Sequence, residues 1–72
     1  MNKFVIIEFD LATAAIIGYW NGSPDNLTQN INEATVFDTR DDVRYELGTA
    51  LKDRPNREFQ YRQVTQSLVL VP

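Results

Sequence analysis

The segment Lys3–Phe9 constrains the fold more than any other part of the chain. Phenylalanine, valine and isoleucine fill both alternating sets of its positions, so a strand built from it is apolar on both faces. A strand of this kind lies at the centre of a sheet whose two faces are covered. We therefore expect Lys3–Phe9 to be a central strand around which the rest of the chain packs.

The chain has to build this core without covalent crosslinks. It has 72 residues, which corresponds to one small domain, and it contains neither cysteine nor histidine. Thiol nucleophiles, histidine-based triads and the usual zinc sites are thereby excluded, whereas carboxylate chemistry and oxygen-ligated Mg²⁺ or Ca²⁺ are not. A core of this size leaves only about 3–5 kcal/mol of stability, which favours self-association as a further source of burial.

Charge and hydropathy narrow the class of protein. The net charge of −3 argues against general nucleic-acid binding, which needs a clustered positive face. No apolar stretch exceeds four residues, as in residues 14–17, whereas a membrane helix needs roughly 20. The apolar N-terminus is interrupted by Glu8 and Asp10, unlike a signal peptide. We expect a cytoplasmic protein with no membrane partner and no cofactor.

The first half of the chain predicts a hairpin followed by a long loop. Residues 13–20 are rich in β-branched and aromatic side chains and predict a second strand, with a helix beginning at residues 12–17 as the alternative. Gly18 inside this strand indicates a bulge or a close backbone approach. Residues 21–30 contain turn formers at almost every position and predict the longest loop.

The second half predicts a short strand, a helix and a last extended segment. Residues 34–37 form the short strand. Asp38 or Thr39 is suited to cap the helix that follows, whose apolar stripe recurs at helical spacing through Val43, Leu47, Ala50 and Leu51. Pro55 ends this helix. Residues 59–71 form the last extended segment, which is long enough that we expect a bend near Gln66 and Ser67.

These elements predict one α+β domain spanning residues 1–72. We expect a small two-layer fold, with a three- or four-stranded, mostly antiparallel sheet and one helix packed on it. The apolar residues 68–71 must pair within this sheet or with a second copy of the chain, because an exposed apolar strand invites aggregation. A homodimer formed through a sheet edge is therefore kept as an alternative.

A protein-binding surface is predicted where an aromatic pair precedes the loop. Tyr19 and Trp20 are adjacent on a strand, so one packs under the helix and the other emerges on the opposite face. An exposed aromatic side chain is a typical anchor in protein–protein interfaces. We expect Tyr19 or Trp20 to be that anchor, with Asn21 and Asp25 supplying polar contacts to a protein partner.

A second hypothesis places single-stranded nucleic acid on the basic segment after the helix. Arg54, Arg57 and Arg62 are interleaved with Tyr61, and arginines beside aromatic rings contact phosphates and stack on bases. The overall acidity makes nucleic acid the less favoured partner. The aspartates at the start of the helix need no metal ion, because helix capping explains them.

Two segments together carry a resemblance to a class of proteins. These are residues 17–21 (Ile-Gly-Tyr-Trp-Asn) and residues 31–39 (Ile-Asn-Glu-Ala-Thr-Val-Phe-Asp-Thr), which an amphipathic helix follows. Over residues 4–52 the chain resembles small proteins of unknown function encoded by bacteriophages, prophages and bacterial accessory DNA. In these proteins a hairpin ending near Tyr-Trp precedes an Ala-x-x-Phe-x-Thr strand and a helix cap. The resemblance implies a compact, non-enzymatic accessory protein acting on a host partner.

Overall fold

A computed structural model describes residues 3–72 as a four-stranded antiparallel sheet with one α-helix packed on it. The elements in chain order are β1 (Lys3–Phe9), β2 (Ile16–Ser23), β3 (Asn26–Thr28), a one-turn 3₁₀ helix (Ile31–Glu33), α1 (Arg40–Asp53) and β4 (Glu58–Val64). Their order across the sheet is β3-β2-β1-β4. The predicted α+β class is confirmed.

The central strand is β1, as its composition predicts. It pairs antiparallel with β2 on one side and with β4 on the other. Phe4 and Ile6 point towards α1 and form one core cluster with Trp20 and Phe59. The opposite face of β1 forms a second cluster, which is covered by segments outside the regular elements. Both faces of the sheet are therefore buried.

The helix forms where the sequence predicts it. The Thr39 hydroxyl accepts a hydrogen bond from the Asp42 backbone N–H at 3.1 Å, which identifies Thr39 as the N-cap. Val43 and Ala50 are buried against the sheet, and Leu47 packs beside them. The helix ends at Asp53, shortly before Pro55.

The predicted loop over residues 21–30 is wrong, because β2 continues through it. β2 runs from Ile16 to Ser23, rather than over residues 13–20, and returns as β3 to form a second hairpin. Gly22 adopts a φ of 86° where the register of this hairpin shifts, which only glycine does without strain. Its N–H donates to the Thr35 hydroxyl at 2.7 Å. Gly22 thus lies in a bulge inside a strand, and Pro24 and Asp25 make the turn between β2 and β3.

The predicted strand over residues 34–37 is reduced to a single bridge. The backbone N–H and carbonyl of Phe37 pair with those of Phe4 at 2.8 and 2.9 Å. The Thr35 N–H donates to the Trp20 carbonyl at 2.7 Å. This segment therefore pairs with β1 at Phe4, on the side where β2 pairs with β1 only from Ile7 to Phe9.

The last extended segment bends at Gln66 and Ser67, as expected. Beyond this turn the chain runs back along β4, where the Val71 N–H donates to the Gln63 carbonyl at 3.0 Å and Val64 bridges Leu70. Leu68 and Leu70 pack against the second core cluster. The apolar residues 68–71 accordingly pair with β4 of the same chain.

Gly18 lies at a bulge and a close backbone approach, which confirms both expectations for it. Glu8 opposes Gly18 and Phe9 opposes Ile16, so Ile17 is the extra residue of the bulge. A Cβ atom on Gly18 would lie 3.0 Å from the Leu27 Cβ and 3.2 Å from the Thr28 carbonyl oxygen. A side chain here would push β2 away from β3.

We expect Gly18→Ala to destabilise the protein by about 1–3 kcal/mol, the usual effect of overpacking. Gly48→Ala is the matched control. A Cβ on Gly48 meets no atom within 4 Å, and alanine in a helix interior is favoured over glycine by about 1 kcal/mol. Chemical denaturation should therefore shift the two midpoints in opposite directions. Equal midpoints would contradict the close approach at Gly18.

Candidate protein-binding surface

The hairpin tip, defined here as residues 10–17, consists of the connection between β1 and β2 and the first two residues of β2. Asp10 closes the turn in this connection. The Asp10 carboxylate accepts hydrogen bonds from the backbone N–H groups of Ala12 and Thr13 at 2.8 and 3.0 Å. Its own backbone bonds Ala14 and Ala15, both at 2.8 Å. The N–H groups of Thr13 and Ala12 hold the pKa of the Asp10 carboxyl below its usual range. The tip is thus ordered by local hydrogen bonds.

This ordered tip presents apolar side chains to solvent. All residues from 11 to 17 are exposed. Leu11 is 71% exposed, and Ile16 and Ile17 are 42% and 39% exposed. Large exposed apolar patches on small proteins mark interaction surfaces. The rigid turn fixes this patch before any partner binds, which reduces the entropy lost on association.

Two shallow concave surfaces flank the tip. Leu11 and Ile17 line one of about 360 Å³ together with Arg57 and Glu58. Leu11 also lines a second one of about 330 Å³, which Glu58 and Arg62 border. An apolar side chain of a partner therefore finds a depression on either side of Leu11.

A cluster of ion pairs lies beside the tip. Arg57 binds the Glu8 carboxylate through two guanidinium nitrogens, with Nε to Oε2 at 3.0 Å. Another of its nitrogens donates to Asp25 Oδ1 at 2.7 Å, and a fourth bond reaches the Pro24 carbonyl at 2.9 Å. Arg54 binds Asp25 through two nitrogens at 3.1 and 2.7 Å. The cluster ties the β2–β3 turn to β1 and to the segment before β4.

The ion pairs shift the pKa values of Asp25, Arg54 and Arg57. The hydrogen bond from Arg54 is the largest influence that lowers the pKa of Asp25, to about 2, and Arg57 acts in the same direction. The bond to Asp25 raises the pKa of Arg54, and the bond to Glu8 raises that of Arg57. Asp25, Arg54 and Arg57 therefore carry their charge at neutral pH.

This cluster gives the protein a defined acid sensitivity. Asp25 has a lower pKa in the folded chain than its ordinary value of 3.8, so its contribution to stability is complete above pH 3.8 and declines as the pH falls towards 2. Asp25→Asn is expected to be less stable at pH 7 and to show a shallower loss of stability between pH 4 and pH 2. Denaturation curves measured across this range check the slope. Ser67→Ala, at an exposed position away from the cluster, removes no titratable group and should keep the wild-type slope.

The residues predicted to bind nucleic acid are split between two places. Arg54 and Arg57 are occupied by carboxylates in the ion-pair cluster. Arg62 lies over the Phe9 ring at 5.4 Å and donates to the Tyr61 carbonyl at 3.0 Å. The Tyr61 ring packs edge-on against Phe4, with centroids 5.9 Å apart. No continuous row of free arginines forms among residues 54–62.

The residues predicted to bind a protein are also dispersed. Trp20 packs under α1 with 4% of its surface exposed, and its ring meets Phe59 edge-on at 5.4 Å. Tyr19 lies on the opposite face, half-buried against the second core cluster. The Asn21 carbonyl accepts from the Asn26 side chain at 2.6 Å. The adjacent aromatic residues therefore face opposite sides, as expected, but neither is fully exposed.

Both edges of the sheet are partly closed. Residues 68–71 form backbone hydrogen bonds with Gln63 on the outer edge of β4 and with Thr65 just beyond it. Because backbone groups along a strand alternate in direction, the carbonyl of Tyr61 also points outward, and Arg62 donates to it. The other edge is β3, which has only three residues. Short and capped edges of this kind disfavour edge-to-edge pairing.

Other site types find little support in the part of the chain described. No group of three or more acidic residues within residues 3–72 is arranged to hold a metal ion. No helix within the same range is long and apolar enough to cross a membrane. Comparison with protein-family models, with curated proteins and with solved structures finds no match to this chain. The case for a function therefore depends on the surface itself.

Sequence reasoning missed the residues of the hairpin tip. Residues 13–17 fit a strand by composition, and the pattern gave no reason to leave Ile16 and Ile17 uncovered. The usable signal was Asp10 followed by small residues, because an aspartate that accepts backbone N–H groups two and three residues later closes a turn. That signal locates the turn but does not reveal its exposure.

Proposed function

We propose that the chain is a non-enzymatic protein-interaction module that binds its partner through the hairpin tip. The observation that carries the proposal is an apolar patch, centred on Leu11, Ile16 and Ile17, on a turn already held in place by Asp10. The resemblance to phage and accessory-DNA proteins favours a host protein as that partner.

The charges around the tip indicate the chemistry of the partner. Asp10 and Glu58 border the depressions beside Leu11. Arg57 is paired with Glu8 and Asp25, so Asp10 and Glu58 outnumber Arg62, the arginine at these depressions that has no carboxylate partner among the described residues. We therefore infer a partner segment that offers apolar side chains flanked by basic residues.

A photo-crosslinking side chain introduced at Leu11 tests the proposal. In an extract of the source cells it should give a covalent adduct of defined mass that is absent when the same group replaces Tyr45. Tyr45 is the matched control, because it is 73% exposed and lies on α1. Identical adducts from both positions, or none from either, would count against the hairpin tip.

The affinity of the captured partner then shows whether the hairpin tip contributes to the free energy of binding. Leu11→Ser combined with Ile17→Ser should weaken binding at least tenfold, which is about 1.4 kcal/mol, while Tyr45→Ser should leave the affinity unchanged. Circular dichroism confirms that each variant is folded. Unchanged affinity in the double variant, or binding to lipid vesicles in place of a protein, would overturn the proposal.

Single-stranded nucleic acid is the alternative, through Arg54, Arg57, Tyr61 and Arg62. Arg54 and Arg57 are paired with Asp25, so nucleic acid binds them only if these ion pairs open. Arg62 is the arginine of the set that has no carboxylate partner among the described residues. Titration of a labelled oligonucleotide at low and physiological salt distinguishes the two functions. Tight binding that falls steeply with salt would favour nucleic acid over the protein partner.

A further inference from the structure

A second concave surface, here called the aromatic cavity, lies at the end of β2 away from the hairpin tip. It has a volume of about 300 Å³. Its walls come from the bulged end of β2, the segment before α1, and α1 itself. The residues that matter for its chemistry are Trp20, Thr35, Phe37 and Glu46.

The cavity wall is held by hydrogen bonds that need no occupant. The Thr35 N–H donates to the Trp20 carbonyl at 2.7 Å, and the Thr35 hydroxyl accepts from the Gly22 N–H at 2.7 Å. Phe37 is fixed by its two backbone bonds to Phe4. The backbone beside Trp20 and Phe37, which both line the cavity, is therefore held in place by hydrogen bonds.

Glu46 gives this cavity a negative charge that no ion pair among residues 3–72 neutralises. Its carboxylate forms no ion pair within the described residues 3–72, and no lining residue is basic. The helix positions three and four residues away hold Val43, Asp42, Thr49 and Ala50, which carry no positive charge.

A carboxylate beside aromatic rings selects one class of ligand. Aromatic faces attract organic cations, and a nearby carboxylate adds a direct ion pair. At about 300 Å³ the volume lies at the small end of ligand pockets, which suits a single side chain or a small amine.

We propose that the aromatic cavity binds an alkylammonium group, with Glu46 as its counterion and Trp20 and Phe37 as its walls. The shared chemistry is a primary or methylated amine on a short aliphatic stem, carried either by a free small amine or by a lysine side chain of a protein. This site is separate from the hairpin tip, so it stands or falls independently of the proposed function.

Trp20 provides a direct reading of occupancy, because it is the only tryptophan in the chain. Titration with n-butylammonium chloride should change its fluorescence in a saturable manner. Potassium chloride at the same ionic strength and the neutral analogue 1-pentanol should not. A lysine-containing tripeptide with blocked ends forms the second arm, and tighter binding of the tripeptide than of butylammonium assigns the site to a protein ligand, whereas the reverse assigns it to a free amine.

Glu46→Gln is expected to weaken butylammonium binding at least tenfold, whereas Asp41→Asn, which removes the same charge elsewhere on α1, should leave it unchanged. Glu46 is exposed, so the fold should survive, and circular dichroism verifies this. Equal binding by Glu46→Gln and the wild type, an equal response to 1-pentanol, or no saturable response to either amine would overturn the proposal.

Discussion

Replacing Trp20 by alanine is expected to lower the free energy of unfolding by about 3–5 kcal/mol. The side chain is 4% exposed, packs with Phe4, Ile6 and Phe59 under α1, and leaves a large void when removed. A domain of this size has about 3–5 kcal/mol in total, so Trp20→Ala should be largely unfolded at 25 °C. Circular dichroism and one-dimensional proton NMR spectra measure the outcome.

Tyr45→Ala is the control for this experiment, because Tyr45 is 73% exposed and its loss should change stability by less than about 0.5 kcal/mol. A folded Trp20→Ala variant would contradict the core position of Trp20. The result also bears on function. A loss of partner binding in Trp20→Ala would reflect unfolding, so the earlier hypothesis that Trp20 contacts a partner has to be tested with Trp20→Phe.

The sequence predicts β1 and α1 well, because the pattern of apolar residues within each segment is enough to identify it. β1 carries apolar residues in both of its alternating sets of positions, and the apolar stripe of α1 has helical spacing behind a capping threonine. The second hairpin was missed for the opposite reason. Asn21, Gly22 and Pro24 all favour turns, yet Gly22 bonds Thr35, which lies 13 residues further along the chain. That distant contact turns a loop sequence into a bulged strand.

The candidate sites were harder to predict because they depend on which charged residues the fold brings into contact. Asp25 and Arg54 are 29 residues apart, and Asp25 and Arg57 are 32 apart. Each belonged to a separate hypothesis, one for a protein partner and one for nucleic acid, and the fold brings them into one ion-pair cluster. Exposure is equally a property of the fold, since nothing in the residues 14–17 themselves distinguishes an apolar turn in solvent from a buried strand.

The ion-pair cluster connects the tip to the rest of the domain. Glu8 lies one residue before the end of β1, directly ahead of the turn that Asp10 closes. Its carboxylate is bound by Arg57, which also holds the β2–β3 turn through Asp25 and Pro24. The cluster thus fixes the strand ends from which the hairpin tip projects, and the rigidity that the proposed function requires depends on it.

Arg57→Met is therefore expected to lower the free energy of unfolding by about 3 kcal/mol, at the lower end of the range for breaking a buried ion pair. The Glu8 side chain is only 10% exposed, so removal of the guanidinium leaves a carboxylate with little access to water. The contact of Arg57 with the Phe59 ring at 4.7 Å is lost as well. Urea denaturation at pH 7 gives the difference.

The double variant Glu8→Leu with Arg57→Met separates a lost charge partner from a lost contact. Replacing both members of a buried pair by apolar residues is often neutral, so the double variant should recover most of the stability lost in Arg57→Met. Arg44→Met, at an exposed position on α1, is the control and should change stability by less than about 0.5 kcal/mol. If the double variant is no more stable than Arg57→Met, the unpaired carboxylate of Glu8 is not what destabilises the single variant.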